Sequence, residues 1–211
     1  GVPQYAKMSS ASIIENTVGD LNDAELNLFT RLLFLNDMMA DYERGLYEGK
    51  EFPFGYKDEI ELTKDLDHHE EHFENLPEGS KQRIEKALEA RRSFHRTLLE
   101  TLVQLSLLPT ETLNEDRYYH RMVIEREKVL SRGVSTGIRE KTKGFQIKRV
   151  GGSDFNTNYT EAEREWIQDA YEQIEKKILL DQLKNLADQM PNATAMIGKH
   201  NVRAMVRNYN R

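Results

Sequence analysis

No cysteine occurs in the 211 residues. That single absence removes disulfides, thiolate metal sites and cysteine nucleophiles together, and it fits a reducing, cytoplasmic setting. Long apolar runs are missing too: nothing approaches the roughly 20 consecutive apolar residues that a membrane span needs. The opening Gly1-Val2-Pro3-Gln4-Tyr5 lacks the basic-then-apolar layout of a secretory leader. Proline is scarce, and Pro53, Pro77, Pro109 and Pro191 therefore read as stops between longer elements. Three catalytic signatures are absent as well. There is no Glu-x-x-His of the kind carboxylate-bridged metal bundles use, no phosphate-binding P-loop, and no Gly-x-Gly-x-x-Gly turn.

What is present is polar but foldable. Hydrophobic residues make up 38% and charged residues 31%, well above the disordered regime. A chain of this length can form one compact domain that buries roughly 70% of its unfolded surface. The net charge of −6 is unevenly spread. Between Ser131 and Ser153 six bases face one acid, and from Lys199 to Arg211 four bases face none. The body is accordingly acidic, with two basic segments that can bind an anion, a nucleic acid or the acidic body itself.

The periodicity predicts an all-α fold: a helical bundle, in a single domain over 1–211, carrying a basic, glycine-rich loop or small β-hairpin as an insert. Asn22-Asp-Ala-Glu25 is a capping box that launches a helix over about 22–48, lined by Leu26, Phe29, Leu32, Leu33, Met39, Tyr42 and Leu46. An acidic helix follows at about 56–74. A third at about 80–108 is lined by Ile84, Leu88, Phe94, Leu98, Leu102 and Leu105. Three helices joined by short turns suit an antiparallel bundle, and their apolar stripes need no cofactor to explain them. Thr110 to Asn114 can form one further helical turn. Glycines 133, 137, 144, 151 and 152 then punctuate an irregular insert at 131–159, where Phe145 and Ile147 can share one strand face. Thr160-Glu-Ala-Glu163 reads as a second capping box. It opens the longest helix, about 160–190, through Trp166, Ile167, Ala170, Ile174, Ile178, Leu179, Leu183, Leu186 and Met190. A last helix is expected at about 193–207.

Three groups of residues can carry chemistry. His68 and His72 are four apart on the acidic helix, so both imidazoles point the same way. With Glu71 they spell His-x-x-Glu-His, the pattern of inverted zinc peptidases, in which the glutamate activates a metal-bound water. Glu100 on the next helix is a conceivable third ligand. An acidic surface helix with interspersed histidines explains the same residues without metal. Lys141, Lys143, Lys148 and Arg149, interleaved with Phe145, suit phosphate contacts with one stacking ring. His120, set among Tyr118, Tyr119 and Arg121, can serve acid–base chemistry; a packed aromatic corner accounts for it equally. His95 reads as a partly buried histidine with a local hydrogen bond.

Four strings occur together: Tyr118-Tyr-His-Arg-Met-Val123, Arg132-Gly-x-Ser-Thr136, Lys143-Gly-Phe-x-x-Lys-Arg149 and Asp154-Phe-Asn-Thr-Asn-Tyr159, the last leading into a long helix. Over roughly residues 85–180 the chain thus resembles helical regions of the large polyvalent proteins of phages and conjugative elements. The resemblance implies a helical module without assigned activity inside a much longer polypeptide, and it supplies no catalytic residues. The chain's opening without methionine and its close at Arg211 in a basic stretch fit that expectation. The resulting expectation is a non-catalytic interaction or scaffold module, with a protein partner or other domains of the parent chain meeting the 131–153 insert. A zinc-dependent hydrolase and a module that reads nucleic-acid backbones are the alternatives. The oligomeric state is open.

Overall fold

A computed structural model describes residues 4–114 and 157–189, and among them every regular element is helical. The elements are α1 (Gln4–Val18), α2 (Asp23–Glu43), α3 (Glu59–Glu74), α4 (Glu78–Gln104) and α5 (Tyr159–Gln189). Short 3₁₀ turns stand at Pro53–Gly55 and Thr110–Asn114. Helix α2 packs along α3 and against α4, while α1 lies on α4 and α5, and α4 also meets α5. One apolar core runs through all five helices, with Phe29, Leu35, Met38, Leu62, Ile84, Leu102, Trp166 and Ile167 fully buried. Among the described residues no helix is long and apolar enough to cross a membrane.

Helix α1 is absent from the periodicity reading, and the reason is chemical. Its buried positions Ala6, Ser10, Ile14, Thr17 and Val18 recur at helical spacing, yet two are polar and one is only a methyl group. Such a face has little hydrophobic contrast but lets a neighbouring helix approach closely. Gln168 of α5 reaches across and donates to the Ser10 hydroxyl at 3.1 Å.

Boundaries follow local chemistry rather than apolar spacing. Helix α2 ends at Glu43, not near residue 48, because Gly45 takes a left-handed φ of 73°. Its N–H bonds the Tyr42 carbonyl and the Leu46 N–H bonds the Asp41 carbonyl, the paired closure of a Schellman motif. Helix α4 ends the same way at Gln104, with Ser106 in the left-handed position that usually falls to glycine. Helix α3 starts at Glu59 under the Asp58 side chain, which accepts from the Glu61 N–H at 2.9 Å. Helix α4 starts directly after Pro77, two residues earlier than the expected start at about 80. The box at 160–163 is also replaced: Asn158 caps α5, accepting from the Glu161 N–H at 3.3 Å, and Glu163 turns inward instead. The expected helix at 193–207 lies outside the described residues, as does the insert at 131–159 apart from its last three positions.

The capping box at Asn22 is present, and Glu25 does more than close it. Its carboxylate accepts from the Asn22 N–H at 3.1 Å and from two guanidinium nitrogens of Arg83 on α4. Those Arg83 bonds, outweighing the upward push of burial, hold the Glu25 carboxyl down at about 2. A carboxyl depressed in the fold stabilises it above the ordinary carboxylate range and loses that contribution as pH falls through about 2. Glu25→Gln is therefore expected to lower the urea midpoint at neutral pH and to make progressively less difference toward pH 2. An equal deficit at both ends of a pH series of urea melts would contradict this.

Candidate functional site

Four places hold side chains with chemical potential. The first is the histidine cluster. His68, Glu71 and His72 all sit exposed on α3, and Glu100 is exposed on α4, where it accepts from Arg96 at 3.2 Å. Among the described residues no group of three His, Asp or Glu side chains converges in a way that would hold a metal ion. His69, between the two, is tied into its own helix: its Nδ1–H donates to the Asp65 carbonyl at 2.7 Å.

The second is a cleft of about 580 Å³ between α2, the 3₁₀ turn and α3, lined by Arg31, Phe34, Phe54, Tyr56, Asp65 and His68 among others. Its centre is a clasp. The Tyr56 hydroxyl donates to the Asp65 carboxylate, which also accepts from Arg31 at 2.6 Å. Burial, followed by the bond to Asp65, raises the Tyr56 phenol to about 12. Burial pushes Asp65 up, but the bonds from Tyr56 and Arg31 outweigh it and hold the carboxyl below its usual range. Phe54 stands in the cleft wall at φ 60°, a left-handed conformation that costs a non-glycine residue about 1–2 kcal/mol. The clasp binds α3 to α2 through the Tyr56 hydroxyl, the Asp65 carboxylate and one guanidinium nitrogen of Arg31.

The third is a buried knot joining α4 to α5, which the apolar pattern did not reveal. His95 and Glu163 are almost wholly buried, and the His95 Nε2–H donates to the Glu163 carboxylate. The bond is not local, as expected from sequence, but spans 68 positions of the chain. Arg91, one turn earlier on α4, brings its guanidinium to 3.6 Å from the same carboxylate oxygen and lies over the Tyr159 ring. The His95 imidazole stacks on Trp166 with ring centres 4.4 Å apart. Burial first, and the Arg91 charge second, depress the imidazole below its ordinary value against the pull of Glu163. A neutral imidazole, a carboxylate and a guanidinium thus stand together out of contact with solvent, joined by the His95–Glu163 hydrogen bond and the Arg91–Glu163 charge pair, an arrangement suited to structure. The signal was in the register: Glu163 falls on the same helical face as Tyr159, Ala162, Trp166, Ile167, Ala170 and Ile174, all buried. On α2, Asp37 and Asp41 are likewise fully buried, and Asp41 pairs with Arg44 at 2.6 Å.

The fourth place is the second half of α5. Ile174 is its last buried residue, and from Gln182 to Gln189 every described side chain is exposed. Continuing the core register beyond Ile174 leads to Lys177, Asp181, Asn185 and Asp188, all polar. Leu179, Leu183 and Leu186 lie instead roughly half a turn away at 3.6 residues per turn. They are 55%, 37% and 45% exposed, with Ile178 beside them at 43%. The sequence reads as one apolar helix from Trp166 to Met190; the structure divides it into an inward face and an outward face on opposite sides.

Lys141, Lys143, Phe145, Lys148, Arg149 and His120 lie outside the described residues. So does Gly133-Val-Ser-Thr-Gly137, which spells the serine-nucleophile pattern Gly-x-Ser-x-Gly; the chemistry of that pattern requires a strand turning into a helix. No family model, curated protein or solved structure matches this chain.

Removing one member of the knot leaves a buried charge unmatched. Glu163→Ala is expected to lower the unfolding free energy by about 3–5 kcal/mol in urea melts. The knot also sets a pH dependence. The fold keeps His95 neutral while the unfolded chain takes up its proton below about pH 6.5, so the contribution is whole above that pH and declines below it. A His95→Gln variant should show a flatter fall in stability between about pH 6.5 and 5; an unchanged slope would mean that His95 already carries its proton in the fold.

Proposed function

We propose that this chain is a non-catalytic interaction module whose docking surface is the outward face of α5. The observation that supports this reading is the half-turn change of apolar register after Ile174. Its own core takes the first half of α5, and the leucines of the second half point away from that core. Contiguous exposed apolar side chains on a helix that runs past the described core mark a contact with another chain, domain or segment. A helix laid along Leu179, Leu183 and Leu186 is the form of partner that an i, i+4, i+7 series receives. The groups that resemble catalytic machinery have other work: His95, Arg91 and Glu163 hold α4 to α5, and Tyr56, Asp65 and Arg31 hold α2 to α3.

The wider reading is a helical bundle with a basic insert, acting as a scaffold in a longer polypeptide of a phage or conjugative element. It rests on the sequence resemblance and the charge asymmetry. In it, the body packs the bundle, the outward face of α5 receives a helix, and the 131–153 insert offers a second, cationic surface.

Because the chain has no cysteine, a single introduced thiol reports its surroundings without background. In intact cells, Leu183→Cys is expected to react with a permeant maleimide several-fold more slowly than Glu89→Cys, whose side chain on α4 is 70% exposed. Equal rates at the two positions would mean that nothing covers the leucine face, and the reading would fail.

A further inference from the structure

We propose that the cleft between α2, the Pro53–Gly55 turn and α3 is a binding site for a small aromatic carboxylate, a flat ring bearing one carboxylate group. Three features meet there: hydrogen-bond donors that the clasp leaves over, a second cation with no acid to pair it, and an aromatic side chain on a strained backbone. The proposal stands apart from the leucine face of α5.

The clasp engages Arg31 through one nitrogen, Nη2, which donates to both Tyr56 and Asp65. Among the described residues Nη1 has no acceptor, and neither has Nε, although Nε is buried. A buried N–H without an acceptor is uncommon in a native fold, so the clasp alone does not account for this guanidinium. The side chain is 40% exposed and lines the cleft, with its guanidinium carbon 5.0 Å over the Phe34 ring. Seated on that ring, it holds a planar array of donors at the cleft, the arrangement that suits a planar carboxylate. Lys64, in the α3 wall, is exposed and has no ion-pair partner among the described residues. That is a departure in a chain whose acids outnumber its bases by 36 to 30.

Phe54 supplies the surface for the ligand's ring. It holds φ 60° and ψ 16°, a left-handed conformation that glycine adopts without strain. The strain is therefore tied to having a side chain at this place, and residues held in this way cluster at ligand sites. Phe54 is 37% exposed, and its ring centre lies 6.0 Å from that of Phe34 with the two planes at 48°. Rings so inclined form a corner that a third ring enters with its face toward one and its edge toward the other. At about 580 Å³ the cleft falls within the roughly 300–1,000 Å³ of small-molecule sites.

The neighbouring charges set the ligand at one negative charge. Asp65 is the partner of Arg31, and Glu61, in the same wall, accepts from the Lys57 N–H at 2.8 Å. Two carboxylates thus stand beside two cations, and His68 adds an imidazole at the rim. The spare donors of Arg31 and Lys64 meet a single carboxylate. The second charge of a phosphate monoester would be left against Glu61 and Asp65.

The test uses the purified full chain and three probes: β-naphthoate, the uncharged β-naphthamide and the doubly charged β-naphthyl phosphate. Calorimetry and saturation-transfer NMR should show saturable naphthoate binding in about the millimolar range or tighter, with the amide and the phosphate each several-fold weaker. Lys64→Gln should weaken naphthoate several-fold and leave the amide unchanged. Phe54→Gly should weaken both. Neither side chain is part of the core, and circular dichroism checks that each variant keeps its helices. No saturable naphthoate binding, or naphthoate binding that either variant leaves intact, would overturn the site. Amide binding equal to that of naphthoate would overturn the anionic ligand, and tighter binding of the phosphate would overturn the single charge.

Discussion

A carboxylate removed from water must be met by charge or by hydrogen-bond donors, and the meeting of α4 and α5 is built around that requirement at Glu163. The imidazole of His95 donates to it, the guanidinium of Arg91 stands against it, and the Trp166 ring covers the imidazole. Replacing such a group by an apolar one of similar shape can be neutral, whereas removing a single partner is costly. The knot thus contributes less through net attraction than through selectivity. It accepts one pairing of α4 with α5 and penalises any slip, because a slip would strand a charge in the core.

That selectivity reaches the far end of α5. A helix turns about 100° per residue, so a displacement of one residue at the knot would swing the leucines of the second half to a different side. Fixing Glu163 against His95 therefore fixes the direction in which Leu179, Leu183 and Leu186 look. The half of the helix that is buried governs the aim of the half that is not, and the rigid helical backbone between them is the link.

Much of this was open to reading from residues alone, and the failures have physical causes. The Asn22 capping box and the apolar stripes of α2 and α4 were legible because cap chemistry and period act locally. Helix α1 was not, since Ser10 and Thr17 give its buried face almost no contrast with its exposed one. Apolar spacing carries α2 past its true end because Tyr42 and Leu46 keep the period while Gly45 turns the backbone away. Glu163 is ambiguous in sequence because a glutamate in the first turns of a helix reads equally well as a cap or as a core residue, and only the tertiary partner on α4 decides. The leucines of α5 read as part of a single apolar helix because a list of apolar residues hides their angle. Compared turn by turn with the first half, the reversal is visible in the sequence itself.

Glu25 brings a different consequence. The same carboxylate closes the first turn of α2 and holds Arg83 of α4. At an ordinary helix end, terminal turns open and close independently of the rest of the molecule. Opening the first turn of α2 also releases its grip on a neighbouring helix, so amide protons there should exchange with solvent in step with the separation of α2 from α4. The start of α2 then belongs to the cooperative unit of the fold rather than to its fringe.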